Sequence, residues 1–250
     1  MDISVSMFFA PKDAYEACGM FTKGHIILLV VMLIILSILL LLSRNMKKEK
    51  LEVLTKVCSI IVVVLEIIKI GFNFKHGYTW LDAWVPISYC SIFIYALLLC
   101  SYGKGIGKRM GEAYICGTAF VAGFVYLMFP STSLMQYPMW HFLSIHSMFF
   151  HMLMMYIGFQ YLKKMNIKLN RKTYNYFLLL FAIFAILALI INKVTGSNLM
   201  LIREPYNIPL AIAHKIYNYS PMGYTTMAIL CYLIIPFPLT LILFHRIHKG

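Results

Sequence analysis

Residues 24–42 read GHIILLVVMLIILSILLLL, a run of apolar side chains without a single Asp, Glu, Lys or Arg. A helix rises about 1.5 Å per residue, so a run of this length crosses the roughly 30 Å hydrocarbon core of a bilayer. The run exceeds the core of a signal peptide and ends at Ser43-Arg44-Asn45 rather than at a small-residue cleavage site. It therefore predicts a retained membrane-spanning helix.

The rest of the 250-residue chain has the same character. Hydrophobic residues make up 61% of it and charged residues only 12%, which leaves too little polar surface to cover a water-soluble globule. The apolar residues come in blocks of about twenty, without the alternation of a membrane β-barrel. We therefore expect an all-α, polytopic membrane helix bundle that forms one transmembrane domain over residues 1–250.

Seven apolar blocks predict about seven transmembrane helices. They lie near residues 24–43, 54–73, 83–102, 111–129, 139–162, 173–192 and 224–245. Lys and Arg concentrate after the first, third and fifth blocks and recur at the C-terminus in Arg246 and Lys249. Because basic loops are retained in the cytoplasm, we expect the N-terminus outside and the C-terminus in the cytosol. In this arrangement the basic residues that give the net charge of +13 orient the helices and contact anionic lipid headgroups. We therefore expect no nucleic-acid partner.

The cysteines and histidines do not follow a metal-ligand pattern. The six cysteines show no CxxC-type spacing, and five of them lie in apolar blocks, where cysteine usually packs as a small hydrophobe. His141, His146 and His151 are spaced by five residues, whereas paired ligands on one helix face are four apart. The sequence therefore predicts no disulfide framework, no metal site and no organic cofactor.

Three reactive side chains lie inside predicted spans at a similar depth. Glu66, Cys90 and His146 each fall about two helical turns, or roughly 10 Å, below the expected outer surface. An acid, a thiol and an imidazole at one level have the composition of a catalytic triad. Each residue also has a structural alternative: Glu66 can pair with Lys69 one turn away, Cys90 can pack, and His146 can hydrogen-bond.

Short motifs surround these residues. The chain reads WVPISYCS over 84–91 and FLSIH over 142–146, and a late connection reads NKVTGSN over 192–198 before Pro205. Together with Glu66, these motifs resemble the YwaF-like integral membrane proteins. Members of that family carry a glutamate in the second helix, a Pro-Leu-His-Leu-Cys-Ser type segment in the third and a Ser-His in the fifth.

The resemblance implies an activity. A eukaryotic branch of the YwaF-like family is regarded as a membrane acyltransferase acting on phospholipid acyl chains, which implies Cys90 as the acyl acceptor and His146 as the base. The chain differs from the family in two places. Ser88 stands where the family has a histidine, two residues before the cysteine, and Ile145 separates Ser144 from His146.

Residues and resemblance together favour a lipid acyltransferase or lipase-like enzyme that acts near the extracytoplasmic face. Its substrate would be a membrane phospholipid or another fatty-acyl lipid. Glu66 would orient the imidazole or hold Lys69 near a headgroup phosphate, and Ser88, Tyr89 and Asn198 are candidates for stabilising an oxyanion.

Two other functions explain the same residues. The intramembrane polar groups can line the cavity of a binding or transport protein, or they can join helices in a non-catalytic membrane subunit. The resemblance further implies an integral plasma membrane protein of a bacterium.

Overall fold

The computed structural model describes residues 5–244, and every regular element in that range is helical. The α-helices are α1 (Val5–Phe8), α2 (Lys23–Leu42), α3 (Lys48–Lys75), α4 (Leu81–Trp84), α5 (Ile92–Tyr102), α6 (Gly105–Tyr114), α7 (Phe120–Met128), α8 (Phe142–Lys164), α9 (Arg171–Thr195), α10 (Ala211–Tyr219), α11 (Pro221–Ile234) and α12 (Pro236–Leu243). A π-helical turn, Ile115–Ala119, joins α6 to α7. The predicted all-α class is confirmed. Arg246, Lys249 and the end of the last predicted block lie outside the described residues.

Five helical stretches of the described chain are long and apolar enough to cross a membrane. They are Lys23–Leu42, Gly105–Met135, Phe142–Lys164, Arg171–Thr195 and Pro221–Leu243. The protein buries 78% of the apolar window of α8 but only 22% of that of α2. Helix α8 is therefore central in the bundle, whereas α2 lies at its edge with most of its surface toward lipid.

The third predicted block, 83–102, is not a continuous helix. Helix α4 ends at Trp84, Val85 has the extended dihedral angles φ −78° and ψ 117°, and regular helix resumes only at Ile92. Proline explains the break: Pro86 has no backbone N–H to donate and disfavours helical geometry in the residue before it. The structure thus replaces one predicted helix by a short α4, a non-helical segment over 85–91 and α5.

The other predicted spans differ mainly at their ends. Helix α3 begins at Lys48 and runs for 28 residues, because its polar first turns continue the helix beyond the apolar block. The last span is divided at Pro236, where α11 gives way to α12. Proline there lacks the N–H that a continuous helix would use.

Contacts at the two ends of the bundle separate the loops into two groups. At one end, the amide of Cys18 donates to Tyr137 O at 2.9 Å, which ties the N-terminal segment to the loop before α8. At the other end, Gln160 Nε2 donates to Ser43 Oγ at 2.6 Å and Lys164 Nζ donates to Arg44 O at 2.7 Å. The basic loops after α2 and α8 therefore share one end, as the distribution of Lys and Arg predicts.

Helices α7 and α8 approach each other through two glycines. A Cβ added to Gly123 of α7 would lie 2.5 Å from the backbone oxygen of His151, and one added to Gly158 of α8 would lie 2.8 Å from the backbone nitrogen of Phe120. Each glycine therefore admits the backbone of the other helix. Such close packing matters in a membrane, where lipid tails already solvate apolar side chains and helix association depends on van der Waals contact.

We expect Gly123→Ala to lower the stability of the purified protein by about 1–3 kcal/mol, because the added methyl group meets rigid backbone. Gly71→Ala in α3 is the matched control. No heavy atom lies within 4 Å of a Cβ added there, and alanine favours a helix over glycine by about 1 kcal/mol. Thermal unfolding in detergent measures both variants, and equal melting temperatures would contradict the close α7–α8 packing.

Candidate functional site

Cys90 lies in the non-helical segment between α4 and α5. The hydroxyl of Tyr114 in α6 donates to Tyr89 O at 2.6 Å, and the amide of Met200, from the connection after α9, donates to Ile87 O at 3.2 Å. These bonds satisfy carbonyl groups that the broken helix leaves without a helical donor, which membrane-embedded backbone requires. Two distant parts of the chain therefore hold the segment that carries Cys90.

Ser88 and Tyr89 have structural partners beside Cys90. Ser88 Oγ accepts a hydrogen bond from Ser91 N at 3.0 Å and lies 2.7 Å from Ser91 Oγ, so it closes the turn that leads into α5. The ring of Tyr89 is buried and stacks on Tyr232 of α11, with centroids 4.5 Å apart and planes within 8°. Both predicted substrate-binding residues thus shape the backbone around Cys90.

His146 lies near the start of α8 and is only 9% exposed. Its Nε2 is buried and makes no hydrogen bond to any residue of the described chain. The neighbouring histidines each use one nitrogen to donate to a backbone carbonyl: His141 Nε2 to Ala10 O at 3.0 Å, and His151 Nδ1 to Ser147 O at 2.7 Å. His146 Nε2 and His151 Nε2 are therefore both buried without a hydrogen-bond partner in the described chain.

Cys90 and His146 both lie near an aromatic contact that joins α5 to α8. Phe93 of α5 meets Phe150 of α8 edge to face, with ring centroids 5.7 Å apart. Phe93 N donates to Cys90 O at 3.0 Å, so these two residues are one turn apart. Phe150 follows His146 by four residues, and spacings of three and four place side chains on the same helix face. Cys90 and His146 thus each lie about one turn along the chain from the same aromatic contact, and the described chain contains no direct hydrogen bond between them.

Helix α3 adds a charged pair and packs against both α5 and α8. Lys69 Nζ lies 2.5 Å from Glu66 Oε1, so the ion pair expected from their spacing is formed. Glu66 is only 7% exposed, and Lys69 lies within electrostatic range of His146. The carboxylate therefore has an ammonium partner rather than the imidazole partner that a triad would give it.

Asn198 belongs to the connection after α9. Its amide donates to Asp82 Oδ1 at 2.8 Å, and its side-chain Oδ1 accepts from Arg203 N at 3.0 Å and from Glu204 N at 3.2 Å. Asn198 therefore fastens this connection to α4, close to the segment that carries Cys90.

Tyr114 is a site residue that the sequence analysis did not select. It is fully buried in the middle of an apolar span. The available signal was its hydroxyl, because a buried phenol needs a hydrogen-bond acceptor within the protein. The identity of that acceptor, Tyr89 O, depends on the break in the third predicted helix.

The reactive groups of the candidate site are a thiol, an imidazole and a carboxylate–ammonium pair. Within residues 5–244, His, Cys, Asp and Glu side chains form no group of three or more that could hold a metal ion. The groups present are suited to nucleophilic attack and proton transfer.

Comparison with known proteins assigns the family. Neither a curated protein nor a solved structure matches the chain. The model of the TMEM164 family, in contrast, matches residues 20–242, a range that contains Glu66, Cys90 and His146. The chain is therefore a membrane protein that belongs to the TMEM164 family.

Proposed function

We propose that this protein is a membrane-embedded lipid acyl-transfer enzyme in which Cys90 is the nucleophile and His146 the general base. The observation that carries the proposal is the Phe93–Phe150 contact, which lies one turn along the chain from Cys90 and four residues from His146. The buried, unpartnered Nε2 of His146 supports the assignment, because a base needs a free nitrogen. The resemblance to the YwaF-like family supports the same two residues.

The reaction would proceed in two halves. In the first, His146 takes the thiol proton of Cys90, and the sulfur attacks the carbonyl carbon of a fatty-acyl ester. A carbon–sulfur bond forms, the ester carbon–oxygen bond breaks, and the imidazolium gives its proton to the departing lipid oxygen. In the second, the hydroxyl of another lipid or of water gives its proton to His146 and attacks the thioester. The carbon–sulfur bond then breaks, and the sulfur regains a proton from the imidazolium.

Glu66 and Lys69 are proposed to serve the substrate. Because Glu66 pairs with Lys69 at 2.5 Å, it would hold the ammonium group inside the membrane next to His146 rather than orient the imidazole. An ammonium group held there attracts a headgroup phosphate. Ser88, Tyr89 and Asn198 are proposed to position the segment that carries Cys90, since each is engaged in contacts that fix backbone.

The proposal includes an orientation. We propose seven spans, with α3 and the α4–α5 segment added to the five long apolar stretches, the N-terminus outside and the C-terminus in the cytosol. The gathering of basic loops at one end supports this arrangement. The site would then face the outer leaflet of the plasma membrane of a bacterium, with a phospholipid or another fatty-acyl lipid as the substrate.

Covalent labelling tests the nucleophile. We expect the purified full-length protein in detergent to gain one acyl group from a lipid-like activated acyl ester, measured by intact-mass spectrometry. Cys90→Ala should abolish the gain, and His146→Ala should slow it by at least about a hundredfold, the usual contribution of a general base. Cys231→Ala is the matched control, because Cys231 is exposed on the α11 surface and has no assigned role.

Two outcomes would overturn the assignment. Labelling of Cys90 at the same rate in the wild type and in His146→Ala would show that the imidazole does not activate the thiol. Equal acylation of Cys90→Ala and the wild type would remove the nucleophile altogether and favour a protein that binds or transports a ligand in a polar cavity.

Tyr114→Phe tests how the segment around Cys90 is held. Loss of the hydroxyl leaves Tyr89 O without its donor, which we expect to cost about 1–3 kcal/mol of stability. The labelling rate of Cys90 should fall about tenfold, equivalent to about 1.4 kcal/mol of misplacement in the transition state. Tyr102→Phe, at an exposed position of α5, should change neither quantity. A lower melting temperature with an unchanged labelling rate would restrict Tyr114 to a purely structural role.

A further inference from the structure

A second polar site lies at the opposite end of the bundle from Cys90. A cavity of about 210 Å³ opens between α6 and the start of α9. Its polar lining includes Arg109, Glu112, Lys168, Asn170, Lys172 and Tyr176. Three of these side chains are cationic and one is anionic, so the lining carries a net positive charge.

Glu112, the acidic residue of the cavity lining, also interacts with cations outside the cavity. Glu112 lies within electrostatic range of Lys108 and Lys48, neither of which lines the cavity. Lys108 also approaches Glu52, with Nζ 4.0 Å from Oε1. Glu112 therefore belongs to a surface network of mixed charge, and its carboxylate is shared with cations outside the cavity.

Arg109 is held in place by an uncharged hydrogen-bond partner, and it also lies within electrostatic range of Glu112. Its Nη1 donates to the Tyr176 hydroxyl at 3.0 Å, and its guanidinium carbon lies 5.9 Å from the centre of the Tyr176 ring. A phenol accepts a hydrogen bond but does not cancel the charge, and a guanidinium has five N–H donors in all. Donors therefore remain for the two-point grip on a phosphate that arginine favours.

The loop that carries Lys168 is fixed against the start of α9. Thr173 Oγ1 donates to Lys168 O at 2.6 Å, and Asn170 Oδ1 accepts from Thr173 N at 3.1 Å and so caps the helix. The positive end of the α9 dipole adds to the field in the cavity. The volume is several times the roughly 30 Å³ that a water molecule occupies, which leaves room for a larger anion.

We propose that this cavity binds a phosphate-bearing anion, gripped by Arg109, Lys168 and Lys172. The basic loops share this end of the bundle, where the cytoplasmic leaflet of a membrane presents anionic lipid headgroups. The shared chemistry is a phosphate group, carried either by a lipid or by a soluble compound. The site is independent of the proposed acyl transfer, because it lies at the other end of the helices and uses none of the same residues.

Native mass spectrometry of the full-length protein tests the proposal, with phosphatidic acid titrated into detergent micelles. We expect the Lys168→Ala/Lys172→Ala variant to bind phosphatidic acid about thirtyfold more weakly than the wild type, because each basic residue near an anionic headgroup contributes about a fivefold factor. The matched control is Lys104→Ala/Lys163→Ala, which removes the same charge from exposed positions outside the cavity. The control should stay within about twofold of the wild type, since its lysines make no direct contact with the anion.

Competition distinguishes the two sources of phosphate. Retention of phosphatidic acid against excess inorganic phosphate identifies a lipid headgroup as the occupant, and its displacement identifies a soluble phosphate compound. Either result upholds the phosphate site, provided that the Lys168→Ala/Lys172→Ala variant loses binding. Equal losses in that variant and in the control would overturn the proposal and reduce these lysines to a general surface charge.

Discussion

Backbone polar groups in hydrocarbon must find partners inside the protein, and the structure around Cys90 depends on that requirement. Once Pro86 interrupts the third apolar block, the carbonyl groups of Ile87 and Tyr89 lose their helical donors. Tyr114 and the amide of Met200 replace them. The break would otherwise be too costly to keep, because each unsatisfied group in lipid costs several kcal/mol.

The break has a geometric benefit for the candidate site. In the middle of a regular helix, the backbone groups around a cysteine are hydrogen-bonded within the helix, and only its side chain can contact other groups. In the non-helical segment the chain turns at Ser88, and Cys90 lies just before the start of α5. Helix α8 carries His146, and α3 carries the Glu66–Lys69 ion pair, whose carboxylate is buried. Two helices and the non-helical segment thus carry chemically distinct groups.

The sequence predicted what depends on local pattern. The all-helical class, the long apolar helices and the gathering of basic loops at one end follow from spacing along the chain, as does the Glu66–Lys69 pair. Lipid imposes such patterns directly, because it excludes charge and fixes the length of a span.

What the sequence could not predict depends on contacts between distant residues. Nothing in the sequence indicates that the Tyr114 hydroxyl would donate to Tyr89 O. Asn198 resembled a group lining a binding site, and its partner Asp82 lies 116 residues away. Roles of this kind emerge only when the helices are packed, since a hydrogen-bonding side chain is compatible with many acceptors before then.

The stacking of Tyr89 on Tyr232 has a consequence for how the protein is made. Cys90 emerges from the ribosome with the first half of the chain, whereas Tyr232 belongs to the last span, and its hydroxyl also donates to Met200 O at 3.0 Å. The surroundings of the thiol therefore remain incomplete until the final helices have inserted and docked. Cys90 is therefore synthesised well before the residues that surround it. Because of this order, its surroundings are complete only after the last helices have packed.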